Sequence, residues 1–84
     1  MATADTTRPV QLQVNTNGAW KTVLQFDAGN AAAAEQVHRG SLMLFEASGR
    51  VSFRLATCER HPLVLRHLSA STYGLWMDAK GAVA

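Results

Sequence analysis

The sequence predicts an α+β fold in which one helix packs on a mainly antiparallel sheet. One stretch has helical periodicity, and two stretches with strand-like alternation precede it and two follow it. Strands, a helix and further strands are typical of a two-layer domain, because the helix and the sheet each have an apolar face to bury. We expect the order ββαββ, with the two hairpins meeting edge to edge as in a β-grasp arrangement. Residues 72–77 are expected to form a short fifth strand or an extended tail.

The helix is predicted to run from Ala31 to Ala47. It begins with four alanines, which have the highest intrinsic helix propensity. Asn30 is the expected N-cap, with Asp27 as the alternative, and Gly49 suits the left-handed residue that commonly follows a helix. Met43 falls outside the apolar stripe of this helix. The residues that share the stripe, at three- and four-residue spacing, are Ala34, Val37, Ser41, Leu44, Phe45 and Ser48.

The first predicted hairpin joins strands 10–14 and 20–27 through the turn-forming stretch NTNG. A two-residue loop would set the apolar face of the first strand opposite Lys21, starting with Val14. A three-residue loop pairs Val14 with Trp20 and keeps the apolar residues of both strands on one face. The three-residue loop is therefore expected, with Gly18 in the left-handed position.

The second predicted hairpin joins strands 50–57 and 63–69. The third strand alternates cleanly between apolar and polar residues, whereas the facing of the fourth strand is less clear. We place Leu63 and Leu65 of the fourth strand in the core. The residues of that strand left on the outer face are then Val64, Arg66 and Leu68. The main core is expected to comprise Leu12, Val14, Trp20, Leu24, Phe26, Val37, Leu44, Phe45, Val51, Phe53 and Leu55.

The composition is that of a small globular domain, since 48% of the 84 residues are hydrophobic and 17% are charged. We expect one domain over residues 9–77, a flexible N-terminal segment over 1–8 and a flexible tail over 78–84. The one cysteine cannot form an internal disulfide, which favours a reducing compartment. The N-terminus lacks the pattern of a signal peptide and no apolar stretch is long enough to cross a membrane, so a cytoplasmic location is expected.

The residues that could carry chemistry are few. Cys58 and His61 lie three positions apart in a predicted loop, without an evident third group to orient the imidazole of a thiol nucleophile. Zinc would have to recruit His67 and His38 as well, and the single Cys-x-x-His has no second matching pair. The sequence has no glycine-rich phosphate loop and no nucleophile elbow. We therefore predict no catalytic, cofactor-binding or metal site, and a protein without enzymatic activity.

The outer face of the predicted sheet is the candidate interaction surface. An antiparallel sheet with one free face should be polar there, yet three apolar residues fall on it. The C-terminal segment 73–77 is rich in aromatic residues and methionine, which are enriched at interfaces. It is expected to cover the outer face, either within one chain or between two chains of a homodimer. The partner-binding residues predicted in this way are Val23, Val64, Leu68, Tyr73, Leu75, Trp76 and Met77.

The alternative partner is single-stranded nucleic acid. The formal net charge is +2, and a basic cluster falls in the second hairpin. Such a surface needs aromatic side chains for base stacking beside its cations, and the strand pattern places Trp20, Phe26 and Phe53 inward instead. The basic residues that would contact phosphates are Lys21, Arg54, Arg60 and Arg66.

Overall fold

A computed structural model, which describes residues 8–72 and 74–78, shows one helix packed on a five-stranded sheet. A single turn of 3-10 helix, Ala70–Thr72, precedes the last strand. The elements are β1 (Pro9–Asn15), β2 (Trp20–Asp27), α1 (Ala31–Ser48), β3 (Ser52–Thr57), β4 (Val64–Leu68) and β5 (Met77–Asp78). The predicted α+β class is confirmed, including a short C-terminal strand.

The strands lie in the order β2-β1-β3-β4-β5, and all four pairings are antiparallel. The two hairpins therefore meet edge to edge through β1 and β3, as expected. β2 and β3 both flank β1 and run in the same direction, so α1 is the crossover between two parallel strands that have one strand between them. This arrangement places β2 at one edge of the sheet.

Both ends of α1 are fixed by the residues that the sequence indicates. The Asn30 side chain accepts a hydrogen bond from the Ala33 N–H at 3.1 Å, which satisfies one of the free donors of the first turn. Gly49 has a φ of 70°, and its N–H donates to the Phe45 carbonyl at 2.7 Å. Asp27, the alternative cap, instead accepts from the N–H groups of Arg8 and Gly29. These bonds to the charged form lower the pKa of the Asp27 carboxyl.

The first hairpin has a different register from the predicted one. Trp20 pairs with Asn15 and Lys21 pairs with Val14, so the connection has four residues rather than three. The Gly18 N–H, at a φ of 87°, donates to the Asn15 side chain at 2.7 Å and closes the turn. The predicted Val14–Trp20 pairing is wrong, because the turn is closed by a side chain that the register argument did not consider.

A β-bulge at Val23 reconciles this register with the hydrophobic pattern. Leu12 pairs with Leu24 but the next residue of β1 pairs with Thr22, which leaves Val23 as an extra residue. Val23 and Leu24 therefore both lie on the helix side of the sheet, whereas Thr22 and Trp20 lie on the outer face. The prediction that Trp20 belongs to the core is wrong for this reason.

The second hairpin contains a corresponding bulge at Leu65. Leu55 pairs with Arg66, whereas the following residue of β3, Ala56, pairs with Val64. The facing of β4 is reversed beyond this point, so Arg66 and Leu68 lie on the helix side. Their predicted placement on the outer face is therefore wrong.

The core lies between α1 and the centre of the sheet. Its buried apolar residues are Val10, Leu12, Phe53, Leu55 and Leu68. Leu68 is fully buried at 0% exposure, and Leu63, which was predicted to be inside, is exposed. The buried face of α1 is rotated from the prediction, because Leu42 packs on the core while Leu44 is 59% exposed.

Candidate interaction surfaces

Among the described residues β2 has a strand partner on one side only, and the most exposed apolar surface of the sheet lies at its other, free edge. Val23 is 50% exposed and Leu24 is 41% exposed. Leu44 of α1 lines the same groove, which has a volume of about 290 Å³ and is floored by Leu12 and Val37. We call Val23, Leu24 and Leu44 the β2 edge patch. The patch joins a strand with one unpaired side to a helix with an exposed leucine, and both features are typical of a surface that binds another chain.

The exposed surface of α1 continues from the β2 edge patch. Gly40 borders the groove, and a Cβ added there would meet no atom within 4 Å. Met43, beyond it, is 63% exposed. Glycine in a helix interior costs stability, and here it removes the side chain at the rim of the groove. A second chain can therefore approach the backbone of α1 closely beside β2.

The outer face of the sheet is polar, and the side-chain amides of Gln11 and Gln13 on this face form hydrogen bonds within the protein. Gln11 and Gln13 are 8% and 9% exposed, although they face away from the helix. The side-chain oxygen of Gln11, Oε1, accepts from Thr22 Oγ1 at 2.6 Å and from Gln13 Nε2 at 3.2 Å. Gln11 Nε2 donates to the Thr57 carbonyl at 3.0 Å, and Arg54 Nε donates to Gln13 Oε1 at 2.6 Å. This network fixes the side chains of three adjacent strands relative to one another.

Trp20 and Arg54 form a cation–π pair on this outer face. The guanidinium carbon of Arg54 lies 4.1 Å from the Trp20 ring centroid. No carboxylate forms an ion pair with Arg54 among the described residues. A shallow cavity of about 260 Å³ beside the pair is also lined by Val64 and His67. The outer face thus combines an aromatic ring with a cation, which the strand pattern alone did not predict.

The C-terminal segment packs on the helix of its own chain. The Trp76 ring contacts the His38 ring with centroids 5.2 Å apart, and Trp76 Nε1 donates to the His38 carbonyl at 3.3 Å. Met77 is half-buried in β5, and Leu75 is 48% exposed. Tyr73 lies outside the described residues. Trp76 therefore binds within one chain, on the helix side of the sheet and not on its outer face.

Gly74 brings the C-terminal segment close to α1. Its φ is 74°, a conformation that favours glycine. A Cβ at this position would lie 3.0 Å from a ring carbon of Phe45. A side chain at Gly74 would therefore strain the backbone turn and require the Phe45 ring to shift.

His38 and Arg66 form a half-buried basic pair between α1 and β4. Arg66 Nη1 lies 3.4 Å from His38 Nε2. Burial lowers the pKa of His38, and the charge of Arg66 lowers it further. The imidazole is thereby held in its neutral form, in which Nε2 can accept from the guanidinium.

The three sheet residues that were predicted to share one partner surface lie in three different places. Val23 is at the edge of β2 on the helix side, Val64 is on the outer face, and Leu68 is in the core. The two bulges separate them, because each bulge reverses the facing of one strand. The signal for the β2 edge patch was present in the sequence as the consecutive pair Val23-Leu24, which breaks the alternation of its strand.

The four predicted phosphate-binding residues also do not converge. Lys21 lies on β2 toward the helix side, and Arg66 faces His38 on that same side. Arg54 is on the outer face, and Arg60 is exposed in the β3–β4 loop. Of these four residues, Arg54 is the one whose guanidinium lies over the ring of a tryptophan within the described ranges.

The described residues contain no group of three histidine, cysteine or acidic side chains arranged to hold a metal ion. Cys58 is a half-buried free thiol in the loop after β3, and His61 is exposed in the same loop. Across the described ranges, no helix is long and apolar enough to cross a membrane.

Neither a protein-family model, nor a curated protein sequence, nor a solved structure shows significant similarity to this chain.

Proposed function

We propose that the protein is a small cytoplasmic, non-enzymatic protein–protein interaction module that self-associates through the free edge of β2. The observation that carries this proposal is the β2 edge patch. An exposed strand edge offers unpaired backbone groups, and adjacent exposed apolar side chains offer area to bury. The half-buried free thiol of Cys58 fits a reducing compartment.

The same patch distinguishes this module from a domain that has merely a few exposed apolar residues. Isolated exposed leucines are common in soluble proteins and need no explanation. Here Val23 and Leu24 are adjacent on one face of an edge strand, and Leu44 faces them across a groove. A contiguous apolar surface beside an unpaired strand is a binding surface rather than a scatter of side chains.

Sedimentation velocity over about 5–500 µM tests the proposal. The chain should pass from monomer to dimer as the concentration rises, and Val23→Lys should keep it monomeric, because a charge would then have to be buried at the contact. Leu75→Lys is the matched control, since Leu75 is 48% exposed and the added charge is the same. This variant should dimerise like the parent chain.

A monomer at every concentration would refute self-association. Loss of the dimer in Leu75→Lys but not in Val23→Lys would move the interface to the C-terminal segment. Circular dichroism melting of each variant shows that any change in mass occurs in a folded chain.

A second candidate function, binding of single-stranded nucleic acid, is favoured by the position of Trp20. The bulge at Val23 places this ring on the outer face beside Arg54. Aromatic rings that stack on bases and cations that neutralise phosphates are the two elements of such surfaces. Trp20 supplies the aromatic side chain that such a surface requires, although the strand pattern predicted none on the outer face.

Fluorescence titration with a single-stranded oligothymidine tests this candidate. In a Trp76→Phe background Trp20 is the remaining tryptophan, so quenching reports on the outer face. Arg54→Gln should weaken binding and reduce the slope of log K against log salt by about 0.7. Arg39→Gln removes the same charge from the surface of α1 and should have a smaller effect. Equal losses in both variants, or the lack of quenching at low salt, would exclude the site.

A further inference from the structure

We infer that two copies of the chain pair through their β2 strands in one antiparallel register, in which Val23 of each copy lies opposite Leu24 of the other. This inference rests on the proposed self-association and specifies its geometry. The two sheets would then form one continuous sheet across a two-fold axis, with both helices on the same side of it.

The side chains of β2 alternate between the two faces of the sheet on either side of the bulge. Before the bulge, Trp20 and Thr22 lie on the outer face, as their contacts with Arg54 and Gln11 show. After the bulge the alternation is reversed. The residues on the helix side are Lys21, Val23, Leu24 and Phe26, and those on the outer side are Trp20, Thr22, Gln25 and Asp27.

Residues directly opposite one another in an antiparallel pair point to the same face of the sheet. In the register centred between Val23 and Leu24, Thr22 lies opposite Gln25 and Lys21 lies opposite Phe26 of the second copy. Every pair formed in this way joins two residues of the same face, over all eight residues of β2. A strictly alternating strand would match the faces of a second copy in every second register, whereas the bulge leaves one register in which all eight residues of β2 match.

The neighbouring registers lack this property. A shift by one residue in one direction sets Thr22 opposite Leu24. A shift by one residue in the other direction sets Leu24 opposite Leu24 of the second copy and Lys21 opposite Asp27. Thr22 and Leu24 lie on different faces, and so do Lys21 and Asp27. Since such a shift places side chains of one strand on the wrong face of the other, the register is strongly specified.

The charges of β2 favour the antiparallel orientation. The strand has a cation near its start, Lys21, and an anion at its end, Asp27. Antiparallel pairing keeps like charges apart, because it places Lys21 of each copy at the end of the ladder where Asp27 of the other lies, although on the opposite face of the sheet. Parallel pairing would place like charges together at both ends, which is destabilising.

The expected contact is small. Eight residues at about 3.3 Å each make a strand of about 26 Å, and a sheet with one helix layer is about 20 Å tall. Each copy then contributes about 500 Å², or about 1,000 Å² in total, which is at the lower end of specific interfaces. The dimer should therefore be reversible and dissociate in the micromolar range.

Disulfide trapping tests the register directly. Thr22→Cys and Gln25→Cys are made as separate chains in a Cys58→Ser background, mixed above the dimerisation concentration and oxidised. Opposite residues of paired strands are about 4.5–5.5 Å apart at Cα, which suits a disulfide. Intact mass spectrometry should show the mixed disulfide in the mixture and little dimer for either chain alone. A mixture of Thr22→Cys with Leu24→Cys is the control for a register shifted by one residue.

The outcomes separate the two levels of the proposal. A mixed Thr22–Gln25 disulfide supports this register. A chain that dimerises in sedimentation but forms no mixed disulfide, or forms one with the shifted pair, overturns the register and leaves self-association in place. A chain that stays monomeric in sedimentation overturns both.

Discussion

At the scale of single residues, His38 links the helix to the last two strands. Its ring contacts Trp76, and its Nε2 lies 3.4 Å from the Arg66 guanidinium. Asp78 lies opposite Arg66 in the pairing of β4 with β5, and Arg8 lines the cavity beside His38. Protonating this imidazole would place a second cation beside Arg66 in a half-buried site, which costs free energy.

The pH dependence of stability follows from that cost. The pKa of His38 is lowered in the folded protein, so the unfolded chain binds more protons between the folded pKa and the unfolded value of about 6.5. The stability that comes from a neutral His38 is fully present above about pH 6.5 and is lost as the pH falls below that value. We expect the melting temperature to fall between pH 7.5 and 5.5, and to fall less in His38→Gln.

The control for this prediction is His61→Gln, because His61 is exposed in the β3–β4 loop rather than packed against α1. Its melting temperature should follow the same pH profile as the parent chain. An unchanged profile in His38→Gln would show that other groups determine the acid sensitivity.

At the scale of secondary-structure elements, the orientation of α1 can be tested with neighbouring residues. Leu42 packs on the core and Met43 is 63% exposed. Leu42→Ala should lower the free energy of unfolding by about 2–3 kcal/mol, the lower part of the range for truncating core leucines, because Leu42 is partly buried. Met43→Ala should change it by less than about 0.5 kcal/mol, as exposed substitutions do. Equal effects in urea unfolding would mean that the helix is oriented differently.

The boundaries of the elements were predictable because local chemistry determines them. Asn30 and Gly49 fix the ends of α1 through bonds to residues within four positions along the chain. The two bulges were not predictable in the same way, since an extra residue is defined by the strand opposite it. Each bulge lies where apolar residues are consecutive, at the pair Val23-Leu24 and within the run Leu63-Val64-Leu65. Such consecutive residues were the one local sign that the facing of a strand changes.

The candidate site was therefore predicted only in part. Val23 was placed on the outer face of the sheet but lies on its helix side, and Leu24 and Leu44 were placed in the core although they are exposed. These errors concern the direction of a side chain rather than the type of element that carries it. Trp20 was missed on the outer face for the same reason.

At the scale of the whole molecule, the strand order determines which end of the sheet can bind. The hairpins were expected to meet edge to edge, and they do so through β1 and β3. Because α1 connects β2 to β3 across β1, β2 lies on the far side of β1 from β3, at the edge of the sheet. The sequence order of the elements therefore places the irregular strand, with its two adjacent apolar residues, where a second chain can reach it.

The opposite end of the sheet determines how far such an association can grow. β5 consists of two residues, Met77 and Asp78, so in the described part of the chain it offers almost no ladder to an incoming strand. A pairing of β2 with β2 uses the long edge of both copies and leaves a short edge at each end. Head-to-tail contacts propagate into fibres, whereas a contact that uses the same surface twice closes on itself. Because its two edges are so unequal in length, this sheet should assemble to two copies and stop there.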